Sequence, residues 1–228
     1  MIRRLEGNPI MTSTQIERNS PVKLPGRPVR TEPRNHWNVV LEYADEGPGP
    51  WLVDLSHCPR LDVQGRELQG LLPSAIPVPD APGWVNTGHG MMITRMNAVQ
   101  ACLWLFESNA DIPQRVEVTD ITEGTLGLAL LGSDSFRIAE KLTNLDLRSP
   151  KRKAPFLLQG PFSHVPCQVV ALGNKPGREA LVLTCSRGYA HDMVHAVVEA
   201  GKEYGLRAAG EERFLQVLEA ITGNHEGS

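Results

Sequence analysis

Leu126-Gly127-Leu128-Ala129-Leu130-Leu131, held between Gly124 and Gly132, is the stretch on which the reading of this chain turns. A short apolar run bounded by glycines reads as a strand. Ser133 to Leu145 follows with helical spacing, placing Ile138, Leu142 and Leu145 on one face and turning Glu140 and Lys141 away. Val165 to Leu172 and Ala180 to Cys185 are β-rich runs, separated by the turn residues Gly173-Asn174-Lys175-Pro176-Gly177. The clearest helix, Ala190 to Tyr204, is stopped by Gly205 and followed by a short Leu206-Arg207-Ala208, while Val116 to Val118 is a short lead-in to the unit. Strand, helix, strand, strand, helix, strand is the βαββαβ order of the ferredoxin-like split motif. An α+β fold is expected, in which residues 116–208 form an antiparallel sheet with both helices on one face.

Outward from that unit, residues 36–107 are also β-rich. His36 to Tyr43, Trp51 to His57, Leu61 to Gln64, Met91 to Arg95 and Ala98 to Phe106 read as strands, with one helix from Gly65 to Leu72. Pro73 to Gly83 holds four prolines and must be irregular. This half is expected to be a second β-rich layer on the first, so that residues 35–228 make one domain with a C-terminal helix. Residues 1–34 carry seven basic residues and five prolines without a hydrophobic period, and read as an extended, partly disordered arm. Its arginines suit bidentate pairing with carboxylates, for instance on a partner subunit. Met1 and Met11 are alternative starts.

With 41% hydrophobic residues, 21% charged residues and a net charge of −3, the composition is that of an ordinary globular protein. It lacks the basic surplus that phosphate backbones require, so nucleic acid is not expected as the main partner. No apolar run approaches the roughly 20 residues needed to span a bilayer. Cys58, Cys102, Cys167 and Cys185 are scattered without a CxxC pair or a secretory signal, and a reduced, cytoplasmic setting is the simplest reading.

Val53-Asp54-Leu55-Ser56-His57, followed by Arg60-Leu61-Asp62-Val63-Gln64-Gly65-Arg66-Glu67, resembles the "DLSH" opening of the glycine-cleavage T-protein (aminomethyltransferase) superfamily. Leu128-Ala129-Leu130-Leu131-Gly132-Ser133 is similar to that family's strand-to-helix step, with Ser133 in place of its proline. Gly205-Leu206-Arg207-Ala208-Ala209-Gly210 looks like its "GLxPAG" after a helix. The resemblance covers about residues 36–220, and it implies a T-protein N-terminal-like fold and a one-carbon chemistry using tetrahydrofolate.

Two departures bear on that chemistry. The family's acidic pair after a double glycine faces Gly88-His89-Gly90-Met91-Met92-Ile93-Thr94, which has no carboxylate. Its "YTGE" turn, whose glutamate holds the pterin, is matched by Lys175-Pro176-Gly177-Arg178, where an arginine offers donors only. A short relative lacking these acids resembles the gamma subunit of heterotetrameric sarcosine oxidase. Arg187-Gly188-Tyr189-Ala190 is similar to that subunit's "RSFA" junction without the serine. This resemblance implies a non-catalytic, structural subunit of a flavin- and folate-dependent amine oxidase, packed against a large flavoprotein. The alternative it leaves open is a stand-alone folate-binding, one-carbon-transfer protein with an altered site.

Rival chemistries are weaker. His191 and His195 stand at i and i+4 on a helix, as zinc helices place them, yet Asp192 replaces the usual glutamate and no third ligand is spaced for them. Asp54, His57 and Cys58 could suggest a nucleophilic centre, but a strand-end turn using Ser56 or His57 to satisfy backbone groups explains them as well. Asn86-Thr87-Gly88-His89-Gly90 lacks the lysine and hydroxyl of a phosphate loop. The sequence therefore leads us to expect no catalytic residue and no metal set in this chain. Asp54, His57 and Arg178 are the residues that would face a cofactor. From Glu211 to Thr222 the helical spacing of Phe214, Val217, Leu218 and Ile221 makes an apolar stripe, with Phe214, Leu218 and Ile221 as the expected partner interface.

Overall fold

The structure is a computed structural model, and residues 17–107 and 115–223 are described. In chain order the strands of the first half are β1 (Pro28–Arg34), β2 (Trp37–Tyr43), β3 (Trp51–Asp54), β4 (Arg60–Gln64), β5 (Val85–Gly88), β6 (Met91–Asn97) and β7 (Gln100–Leu105). Then come β8 (Val118–Asp120), β9 (Thr125–Leu131), helix α1 (Ser135–Glu140), β10 (Phe156–Phe162), β11 (Val165–Gly173) and β12 (Ala180–Ser186). Helix α2 (Ala190–Gly201), β13 (Arg207–Ala209) and helix α3 (Glu211–Thr222) follow.

These elements stack in layers. A six-stranded sheet has the order β10-β11-β12-β9-β3-β13, and a five-stranded sheet has the order β5-β6-β7-β4-β8. The alternation along β9 shows why its sequence is apolar throughout. Leu126, Leu128 and Leu130 face Phe136, Ile138, Met193 and Val197 of the two helices. Ala129 and Leu131 face the second sheet and α3, meeting Met92, Trp104, Phe106 and Phe214. Beyond the five-stranded sheet, Leu61, Val63, Ile93 and Leu103 are closed off by Leu68, Leu71, Leu72 and Ile76.

The α+β architecture agrees with the sequence reading, but the expected four-stranded unit is enlarged. β3, from the first half of the chain, is inserted between β9 and β13, pairing antiparallel with one and parallel with the other. β8, from the second half, joins β4 in the other sheet. β10, whose Gly160 and Pro161 disguise it, adds an outer strand at the edge, where a missing N–H is tolerated. The expected helix from Gly65 to Leu72 is only a 3-10 turn at Leu68–Leu71, and the helix expected from Ser133 to Leu145 is confined to α1.

The N-terminal arm also needs correction from residue 17 onward; residues 1–16 lie outside the described ones. Leu24 is in the core, and Pro28–Arg34 forms the β1–β2 ribbon. Its arginines do pair with carboxylates, but with those of the chain's own α3. Arg30 binds Glu212 through both oxygens, and Arg34 Nη1 donates to Glu211 Oε1 at 2.9 Å.

Candidate functional site

The end of β3 and the turn after it carry the "DLSH" residues, and local hydrogen bonds fix that turn. Ser56 N–H donates to Asp54 Oδ1 at 2.9 Å, and Ser56 Oγ accepts from Gly127 N–H at 3.3 Å. The Asp54 carboxylate also accepts from Ser20 Oγ. Arg60, wholly buried at the start of β4, completes the lock. Its Nη1 donates to Leu55 O and Cys58 O at 2.9 Å each, and its Nη2 to Thr122 O at 2.8 Å and Ser56 O at 3.1 Å. Position 127 must be glycine because a Cβ there would lie 2.7 Å from Arg60 Nη1 and 3.0 Å from Leu55 O. The turn is therefore held rigidly between β3 and β9.

That rigidity aims His57 and Cys58 at the first turn of α3. His57 Nε2 lies 2.7 Å from Glu211 Oε1 and 3.5 Å from Cys58 Sγ. Glu211 is 2% exposed and takes Arg34 on the same oxygen, so a buried carboxylate sits between two cationic groups. Burial opposes charge on His57, yet Cys58 and Glu211 outweigh it and raise the imidazole pKa to about 10. Burial likewise opposes charge on Glu211, and the bonds from His57 and Arg34 reverse that and lower its pKa. The Tyr43 hydroxyl is pushed up to about 12 by burial and by the negative charges of Asp54 and Glu46.

The cluster's geometry limits its chemistry. In a nucleophile–histidine–carboxylate relay the two partners occupy opposite ring nitrogens. Here Cys58 and Glu211 share Nε2, so no relay runs through the ring. Cys58 Sγ, His57 Nε2 and a Glu211 oxygen lie within 4.8 Å of one another, a donor set suited to a zinc-like ion, and are the one such trio among the described residues. Arg34, bonded to the Glu211 carboxylate, opposes a cation there. The arrangement serves as a buried ion network tying β1, the β3 turn and α3 together.

Two cavities flank His57. The larger, about 550 Å³, is lined by Arg18, Ser20, Lys23, Tyr43, Asp54 and His57. The smaller, about 300 Å³, is lined by Arg34, Cys58, Phe106, Glu107 and Glu211. Asp54 and His57 are thus brought together as cofactor-facing candidates, whereas Arg178 is elsewhere, in a cavity of about 240 Å³ with Lys153, Lys175, Leu218 and Ile221. Along α3, a groove of about 500 Å³ runs past His89 and Gly90. The turn itself has no acid, but Glu107, Glu212 and Glu219 line the same groove. Phe214 is 1% exposed and packs edge-on to Phe106 with ring centroids 4.9 Å apart, which places it in the chain's own core rather than at the expected interface. Leu218 and Ile221 are half-buried. Sequence reasoning missed Glu211 and Arg34 because their pairing joins opposite ends of the chain; the available signal was an acidic first helical turn after Gly210. The His191 side chain is 93% exposed, with Nδ1 3.6 Å from the exposed Asp192 carboxylate.

Comparisons with known proteins place the fold. One chain of heterotetrameric sarcosine oxidase from Corynebacterium sp. U-96, solved in complex with pyrrole 2-carboxylate, is similar with a TM-score of 0.57 and 16% identity; the match covers 67% of this chain and 84% of that one. The glycine cleavage system aminomethyltransferase T from Bartonella henselae is similar with a TM-score of 0.51 and 13% identity, over 81% of this chain and 56% of that one. This chain thus spans little more than half of the aminomethyltransferase. No protein-family model and no curated protein sequence matches it. The chain shares its fold with these two structures. No helix among the described residues is long and apolar enough to cross a membrane.

Proposed function

We propose that this chain is a non-catalytic, structural subunit of a heteromeric flavin- and folate-dependent amine oxidase of the sarcosine type, working in the cytoplasm against a large flavoprotein. The observation that carries this reading is the extent of the first match. The likeness takes in 84% of a chain that is itself one part of a heterotetramer, against 56% of the aminomethyltransferase. The side chains are consistent with a structural role. Glu211 binds both His57 and Arg34, Asp54 is bonded to Ser20 and Ser56, and Arg178 can only donate. Size-exclusion chromatography with native mass spectrometry, on the chain tagged in its own cells, tests the proposal. It should elute in a complex containing a bound flavin; elution as a free monomer while the flavoprotein runs separately would overturn it.

One observation favours a second reading, a folate-binding one-carbon-transfer protein. The cavity of about 550 Å³ combines the Asp54 carboxylate, an acceptor for paired ring N–H donors, with Arg18 and Lys23, which suit a ligand's carboxylates. Titration calorimetry of the isolated chain with tetrahydrofolate separates the two readings. Tight binding that Asp54→Ala abolishes would favour the second, and no heat of binding the first.

A further inference from the structure

Cys167 and Cys185 belong to adjacent strands of the six-stranded sheet. β11 and β12 pair antiparallel with Gln168 opposite Thr184 and Val169 opposite Leu183. Extended one step beyond the last paired residues, that register brings Cys167 opposite Cys185. Both are free thiols and both lie on the helix-covered face with Val169, Ala171, Leu181 and Leu183. Residues opposed in an antiparallel pair have Cα atoms about 4.5–5.5 Å apart. This lies inside the roughly 4.4–6.8 Å over which a disulfide closes without backbone movement. Cys58 and Cys102 have no such partner; they belong to the other core, between the sheets.

We propose that Cys167 and Cys185 are a dithiol modification site, which a small-molecule disulfide of the glutathione type converts reversibly into a cross-strand disulfide joining β11 to β12. The Cys185 sulfur attacks one sulfur of the incoming disulfide, forming a mixed disulfide and expelling one thiolate. Cys167 then gives up its proton and attacks the Cys185 sulfur, expelling the second small thiolate. Two protein thiols are oxidised and one small disulfide is reduced to two thiols, so electrons and protons balance. The pair is polarised for this order. The Cys167 hydrogen bond lowers the Cys185 pKa, and the same bond together with burial raises that of Cys167. Both residues are buried, at 6% and 4% exposed, and lie at the end of the β11–β12 ladder.

The test equilibrates the folded full-length chain with a glutathione redox buffer of increasing oxidation, quenches it with acid and an alkylating agent, and maps thiols by mass spectrometry. The expected result is a Cys167–Cys185 linked peptide that appears at mildly oxidising poise, disappears with dithiothreitol, and leaves Cys58 and Cys102 alkylated after unfolding. In the Cys167→Ser variant the mixed disulfide should instead be trapped on Cys185, with the fold checked by circular dichroism. If that variant does not fold, the linked peptide in the unaltered chain still decides. Both cysteines remaining free at every poise, or linking only when urea is present, would overturn the proposal.

Discussion

Arg60 brings five N–H donors into a site closed to solvent; Nη1 and Nη2 donate to backbone carbonyls from two turns and Nε to Thr125 Oγ1, with its guanidinium 5.0 Å from the Trp104 ring centroid. Burial lowers its pKa, with Cys58, Cys102, Asp54 and Asp120 acting the other way. Each buried acceptor stripped of its donor costs about 1–3 kcal/mol. Arg60→Met should therefore destabilise the chain by at least about 3 kcal/mol in urea unfolding. Arg60→Lys should recover little, because an ammonium has three donors and cannot span both turns. A midpoint within experimental error of the parent for either variant would show that the carbonyls find other partners. His57 makes a different prediction, about pH. Its folded pKa of about 10 stands above the ordinary 6.5, so its stabilising contribution is complete below pH 6.5 and fades as pH rises through 10. Urea midpoints across that window should fall for the parent chain and stay flatter for Glu211→Gln, which removes the charge that His57 faces. Parallel pH profiles for the two proteins would rule this out.

Helix α3 is docked at its first residue. A Cβ on Gly210 would lie 2.0 Å from Leu41 O, so β2 and the start of the helix touch backbone to backbone. Gly210 N–H donates to Glu46 Oε1 at 2.9 Å, and Glu211 and Glu212 complement the helix dipole while binding Arg34 and Arg30. Gly210→Ala should cost at least about 1–3 kcal/mol through overpacking and should swing Glu211 away from His57. The His57 imidazole titration, followed by NMR, would then move down toward 6.5, and an unmoved titration would count against the argument. This element also marks how far sequence carries. The bounds of α3 and the presence of β9 were legible, because a helical stripe and a glycine-bounded apolar run are both local signals. β1 was not, because six of its seven residues are exposed and its prolines break any pattern. β3 reads as a strand, but nothing local says that it crosses into the other half's sheet. For the site, Asp54 and His57 were legible from the turn motif. Their partners Ser20 and Glu211 were not, since long-range pairs leave no mark in spacing.

The molecule as a whole leaves α3 with two faces of different use. Phe214 points inward against Phe106 and the six-stranded sheet, while Leu218 is half-buried between two grooves, one past His89 and the other past Arg178. If the chain docks on a larger partner as proposed, the half-buried Leu218 and the adjoining groove walls are the apolar surface it would offer. Burying that side chain fully against a partner would contribute roughly 1.5–3 kcal/mol. Leu218→Asp should then free the chain from its large partner, read as loss of co-elution, while its circular-dichroism spectrum and cooperative melting remain. Phe214→Ala is the contrasting variant: it should cost about 3–5 kcal/mol of the chain's own stability, because it empties a packed core position. Retained co-elution of a folded Leu218→Asp chain would move the docking surface off α3 altogether.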